Sequence, residues 1–259
     1  MKFIRMKIAL IETPLYWCDI DRNLEHFQNL IESVAKDCQM VFLPEMFSTG
    51  FTMQPEQLKD NNLKKVPLWF KEMAAGQSMA IGGSSVAHVN NNYYNRFYFA
   101  IPGGELLHYD KRHLFRMGEE QHHYTAGHER KVFDFENWRI YPQICYDLRF
   151  PVWSRNRNHY DILVYVANWP ASRQDVWTTL LKARAIENQC YVAGVNRTGT
   201  DPDVGYAGGS VVYSPKGEII SFPSDINPSI IYADINLVEM NRFRDKFPAW
   251  KDADDFELL

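Results

Sequence analysis

The sequence predicts an α/β layered sandwich, and three observations predict it. Short apolar runs of strand length recur along the chain, as in MVFLPEM, WRIYPQICYD and DILVYVANW. Segments with helical spacing of apolar residues alternate with them. That alternation of strand and helix is the pattern of layered α/β architectures. No internal repeat, low-complexity tract or linker interrupts the chain, so residues 1–259 read as one domain.

The elements follow in order. Arg5–Glu12 forms a first strand, and Asp21 caps a helix in which Leu24, Phe27, Ile31 and Val34 share a face. MVFLPEM (40–46) is a buried strand, and Val66–Ala75 a second helix. SMAIGGSSVAHV resumes strand character, Asn90–Asn92 turns, and YNRFYFAI returns. Pro102-Gly103-Gly104 is a further turn before ELLHYDK. WRIYPQICYD (138–147) and DILVYVANW (161–169) are two more strands. Residues 174–189 make the clearest helix, with Trp177, Leu180, Leu181 and Ala185 on one face. Three more strands and a helix over Asn236–Phe247 complete the reading.

Composition excludes some functions. Hydrophobic residues at 46% and charged residues at 23% are ordinary globular usage, which excludes disorder. A formal net charge of −4 supplies no basic field for nucleic acid or an anionic membrane. No apolar stretch has membrane-spanning length. Arg5 and Lys7 break the N-terminal apolar run, so it reads as a strand rather than a secretory signal, and the expected location is the cytoplasm. Four scattered cysteines without a CxxC pair exclude a disulfide framework, and Cys18, Cys38 and Cys190 read as structural thiols.

Chemistry concentrates where apolar strands end in a reactive residue. VFLPE ends at Glu45, LLHYDK at Lys111 and YPQIC at Cys145. Strand ends are where α/β sheets gather their sites, because a rigid sheet meets an open loop there. A carboxylate can take a thiol proton, the thiolate can attack a carbonyl, and a retained ammonium can stabilise the oxyanion. Each residue alone also has an ordinary structural reading: a strand-end carboxylate, a solvated lysine, a core thiol. Arg184 and Glu187, three apart on the clearest helix, read as a helix-surface pair. His122 and His123 are adjacent, so a regular strand cannot aim both at one metal ion.

The segments LPEMFSTGF, YDKRHLF and CYDLRFP, in this order, resemble the three signature blocks of the nitrilase (carbon–nitrogen hydrolase) superfamily. YVANWP, KARAIENQCYVAGVNR and YAGGSVVYSPKGEII extend the resemblance over essentially the whole chain. It implies a four-layer α-β-β-α sandwich that dimerises, with Glu45 as general base, Lys111 as cationic stabiliser and Cys145 as nucleophile. A second glutamate follows the lysine block in many members. Glu119 and Glu120 are both candidates, and the distance to Gly127 favours Glu120. Cys145-Tyr146-Asp147 replaces the Cys-Trp-Glu of true nitrilases and points to the amidase branches. CYDLRFPVWSRN, NWPASR and KFPAW are similar to bacterial omega-amidases, which hydrolyse monoamides of 2-oxo dicarboxylic acids.

The resemblance therefore implies a small-molecule amide as substrate, a homodimer, and a mechanism without metal or other cofactor. The backbone N–H of Tyr146 joins Lys111 around the oxyanion. Lys111 and a helix start near Phe150-Pro151 are expected to favour the Cys145 thiolate. An omega-amide carries a distal carboxylate, so an arginine fork is expected in the pocket. Arg173 is preferred; Arg149 is a second candidate, equally suited to pairing with Asp147 or Glu187, and Arg116 a third. Three alternatives stay open: an amidase for a carbamoyl amino acid or a modified glutathione, a Cys-His hydrolase using His113 or His159, and a non-catalytic binding module.

Overall fold

The computed structural model describes residues 4–257. The first half of the chain forms β1 (Arg5–Ile11), α1 (Ile20–Glu32), β2 (Met40–Phe42), α2 (Asp60–Gln77), β3 (Ala80–Val89), β4 (Asn92–Ala100) and β5 (Leu106–Asp110). Then come β6 (Phe133–Phe135), β7 (Trp138–Ile144), β8 (Ile162–Val166), α3 (Gln174–Asn188), β9 (Tyr191–Val195), β10 (Thr198–Thr200) and β11 (Gly205–Ala207). β12 (Val211–Tyr213), β13 (Ser221–Pro223), β14 (Ile230–Asn236) and α4 (Leu237–Lys246) close the sequence.

Two sheets stack face to face. One has seven strands in the order β13-β14-β1-β2-β3-β4-β5, the other five in the order β12-β9-β8-β7-β6. The inner strands β1, β2 and β3 run parallel, as do β7, β8 and β9, and antiparallel strands flank both sets. Three apolar clusters separate four layers. Phe27 and Ile31 of α1 and Phe70 and Met73 of α2 pack on Ala9, Val41 and Ile81. Ile8, Leu10, Phe42 and Phe97 meet Ile140, Ile162, Val164 and Val195 between the sheets. Trp177, Leu181 and Ala185 of α3 cover Tyr141, Leu163, Tyr165 and Val192. This is the expected α-β-β-α sandwich, and the alternating partners of β-strand residues follow from their period of two.

Local details differ from the sequence reading. Asp19, not Asp21, caps α1 by accepting from the Arg22 N–H, and Asp21 sits in the first turn. α2 starts six residues before Val66, with Pro67 inside it; a proline there removes one helical hydrogen bond, and the packed face of Leu63, Val66 and Phe70 holds the helix regardless. Asn90 and Asn91 both adopt positive φ, 49° and 63°, which forms the tight β3–β4 hairpin. Six strands rather than three follow α3, because a two-stranded ribbon, β10–β11, and three-residue strands carry too little periodicity to be seen.

Candidate active site

The site sits at one edge of the sandwich, where both sheets contribute. Glu45 lies three residues beyond β2 in a tight turn, and Lys111 directly follows β5. Cys145 begins a turn of 3₁₀ helix directly after β7, at a φ of 44°. A positive φ at a non-glycine residue is uncommon and here bends the chain sharply, so the sulfur stands clear of the strand.

Lys111, Glu45 and Glu120 are fully buried. Lys111 Nζ lies 2.9 Å from Glu45 Oε1 and 2.9 and 3.0 Å from the two oxygens of Glu120. Asn95 Nδ2 donates to both carboxylates, at 2.8 Å to Glu45 and 3.3 Å to Glu120. The Phe115 N–H also donates to Glu120 at 2.6 Å. The other Glu45 oxygen accepts from the Asn168 N–H at 2.8 Å. Every acidic oxygen thus has at least one donor, as buried charge requires. Glu119, by contrast, is exposed in the left-handed region and meets none of these groups. Gly127 packs against the end of β5: its N–H donates to Lys111 O at 2.8 Å, and a Cβ there would fall 2.1 Å from Asp110 O. Only glycine permits that approach.

Electrostatics follow from burial and pairing. Burial alone would pull the Lys111 ammonium down, but Glu120 and then Glu45 outweigh it and hold Lys111 above its ordinary value. Burial pushes Glu120 up; Lys111 opposes this and the Glu45 charge adds to it. Burial and the neighbouring Glu45 carboxylate push the Cys145 thiol well above its usual range, with Lys111 opposing. These surroundings favour the protonated thiol. This corrects the expected thiolate: two carboxylates and burial outweigh one ammonium, and the five-residue 3₁₀ turn offers little dipole.

The nucleophile turn is braced from behind. Buried Asp147 accepts from Ile144 N–H at 3.0 Å, Tyr109 Oη at 2.9 Å, and the backbone and Nδ1 of His113 at 2.9 and 2.7 Å. His113 is thus a partner of Asp147. Arg184 is buried rather than on the surface: it bonds Glu187 at 3.0 Å and also donates to Leu148 O at 2.7 Å, because the nucleophile turn covers that side of α3.

A cavity of about 430 Å³ opens over Cys145. Aromatic side chains form much of its wall, among them Trp17, Phe51, Phe115, Tyr146, Trp169 and Tyr206. Arg149 and Arg173 both line it. Neither forms an ion pair among the described residues: Arg149 lies over the Trp169 ring at 5.4 Å and Arg173 over Phe115 at 5.5 Å. Arg149 is exposed and pairs with neither Asp147 nor Glu187, since Asp147 is saturated and Glu187 is taken by Arg184. Arg116 is exposed and outside the cavity lining. Asn95 and Asn168, which hold both site carboxylates between them, were not anticipated. A polar residue within the apolar run YNRFYFAI was the available signal for Asn95.

Fold and site together define a hydrolase of amide carbon–nitrogen bonds built on a four-layer sandwich. Residues 7–245 match the carbon–nitrogen hydrolase family, and the chain belongs to it. Among its relatives, an omega-amidase of Yersinia enterocolitica, YafV, is 46% identical over 98% of this chain and 99% of its own. A 2-oxoglutaramate amidase of Bacillus subtilis is 32% identical over 96% of this chain and 98% of its own. A CN-hydrolase superfamily structure from Xanthomonas campestris, with an arsenic adduct in its active site, superposes with a TM-score of 0.93 at 38% identity. That match covers 98% of this chain and 99% of the other.

Proposed function

We propose that the chain is an omega-amidase, which hydrolyses the terminal amide of 2-oxo dicarboxylic acid monoamides and converts 2-oxoglutaramate to 2-oxoglutarate and ammonia. The observation that carries this reading is a thiol beside a buried Glu-Lys-Glu cluster, under a cavity whose wall offers two guanidiniums without carboxylate partners. The identity to the Yersinia and Bacillus enzymes supports the same substrate class.

Glu45 takes the proton of the Cys145 thiol as sulfur attacks the amide carbon, because the thiol does not ionise unaided. Lys111 and the Tyr146 N–H, which has no intrahelical acceptor at the start of its turn, stabilise the oxyanion; one such donor is worth about 3 kcal/mol. Glu45 returns the proton to nitrogen, ammonia leaves, and a thioester remains. Water, deprotonated by Glu45, then releases the carboxylate and restores the thiol. Glu120 holds Lys111 in place. Arg173 and Arg149 receive the distal carboxylate.

The cavity has more room than a five-carbon monoamide fills, and that favours one second reading: a related amidase for a carbamoyl amino acid or deaminated glutathione. Ammonia release from 2-oxoglutaramate, compared with Cys145→Ala and with that panel of amides, separates them. Rapid release that disappears in Cys145→Ala supports the proposal; turnover confined to the larger amides rejects the substrate. The reading carries with it a cytoplasmic homodimer, which light scattering on the purified protein tests for assembly. Among the described residues no helix is long and apolar enough to cross a membrane.

A further inference from the structure

Arg197 is the anomaly that the reaction leaves unused. It lies two residues beyond β9, after Asn196, and is only 1% exposed. Its Nε donates to Thr198 O at 3.1 Å and its Nη2 to Thr200 O at 3.0 Å. Nη1 has no hydrogen-bond partner, and no carboxylate pairs with this guanidinium among the described residues. Burial pulls it below the ordinary arginine value, with Tyr206 and Asp201 opposing. A buried cation without a direct ion pair is costly, and an apolar side chain of similar volume would serve packing better.

Its surroundings say what the charge faces. The guanidinium lies 4.6 Å from the centroid of the Tyr206 ring, and Tyr206 lines the cavity. Nη1 is on the side of Gly50, where an added Cβ would come 3.7 Å from it and 2.9 Å from the cavity-lining Trp17 ring. The two carbonyls that Arg197 holds belong to β10, whose partner β11 carries Tyr206. The connecting turn is clasped by Asp201, which accepts from Asp203 and Val204 N–H at 2.9 and 2.7 Å and from Tyr206 Oη at 2.5 Å. Asp201, Asp203, Val204 and Tyr206 all line the cavity. One buried guanidinium thus stands behind the part of the wall that this ribbon forms.

We propose that Arg197 is a specificity-determining positioning residue: it fixes the β10–β11 ribbon as part of the cavity wall and leaves behind Tyr206 a positive charge that no direct ion pair takes up, which favours acyl groups ending in a carboxylate. This rests on the omega-amidase reading. Charge acting across a ring in a poorly screened interior is felt by an anionic substrate and ignored by a neutral one of the same shape.

The test is ammonia release from succinamate and butyramide, which match in length and differ in a terminal carboxylate, by the intact protein, Arg197→Gln and Arg197→Lys. In Arg197→Gln, KM for succinamate is expected to rise about tenfold with kcat nearly constant, while butyramide changes less than about threefold. Arg197→Lys restores the preference, because the charge returns, although kcat/KM falls for both amides as one ammonium cannot hold both carbonyls. Equal losses on both substrates in Arg197→Gln make Arg197 a structural residue only and overturn the proposal; so does a lysine variant without the preference. Thermal melts verify folding, and if Arg197→Gln does not fold, retention or loss of the preference in Arg197→Lys decides. An intact protein that does not prefer succinamate overturns the omega-amidase reading itself. A preference that survives both variants removes only Arg197.

Discussion

The floor of the cavity and its wall are built on different principles. At the floor, Lys111 meets three carboxylate oxygens within 3.0 Å, and Asn95 and Asn168 complete the shell. At the wall, Arg149 and Arg173 rest on aromatic rings and form no ion pair among the described residues. The floor is over-determined, so each group has one geometry and its charge is set by its neighbours. The wall leaves its cations open to a ligand. On the proposed function, chemistry is fixed below and selection is left free above.

Removing the floor's only ammonium should have the largest effect. Lys111→Met leaves two buried carboxylates facing each other, and is expected to cost about 3–5 kcal/mol and lower the melting temperature by roughly 10 °C. A melt unchanged to within a degree or two would mean the cluster is not the rigid unit described. Glu45→Gln keeps the shape of the floor but cannot take the thiol proton, so kcat should fall about 10³-fold at nearly constant KM. Activity within tenfold of the intact enzyme would instead point to a histidine base. Because burial and Glu45 hold the Cys145 proton in place, alkylation by iodoacetamide without substrate should still be accelerating above about pH 9. A plateau already reached near neutral pH would show a resting thiolate and break the contrast.

Changes at the wall should be smaller and confined to binding. Arg173→Met and Arg149→Met are each expected to raise KM for 2-oxoglutaramate about tenfold with kcat largely kept, and to leave a neutral amide little affected. Equal effects on both amides would remove that arginine from carboxylate recognition. Smallest of all, Lys65→Ala breaks an exposed ion pair with Asp21 far from either region, and should shift stability by no more than about 0.5 kcal/mol in a denaturant titration.

Legibility in the sequence follows the same division. Glu45, Lys111 and Cys145 were noticed because each ends an apolar strand, but it was the resemblance of their three segments to the family's signature blocks that gave them roles. Glu120 needed its neighbour excluded, which the exposure of Glu119 and the buried bonds of Glu120 to Lys111 do. Asn95 was hidden because a single polar residue within a strand does not announce which face it occupies. Arg184 was misjudged since its spacing to Glu187 reports a pair and not that the nucleophile turn covers it. The wall was least legible: Tyr206, Trp17 and Asp203 come from distant loops whose convergence depends on tertiary packing.

Asn168, at the end of one sheet, donates its N–H to Glu45 Oε2 at 2.8 Å and its side-chain amide to Glu45 O at 2.7 Å, across to the other sheet. The carboxylate proposed as the general base is therefore also a rivet between the two halves of the sandwich. Slippage of one sheet over the other by a fraction of a side chain would misplace the base before any strand came apart. Turnover in this enzyme is thus a gauge of sheet docking, and core substitutions far from the cavity should dim activity while spectroscopic measures of folding still look intact.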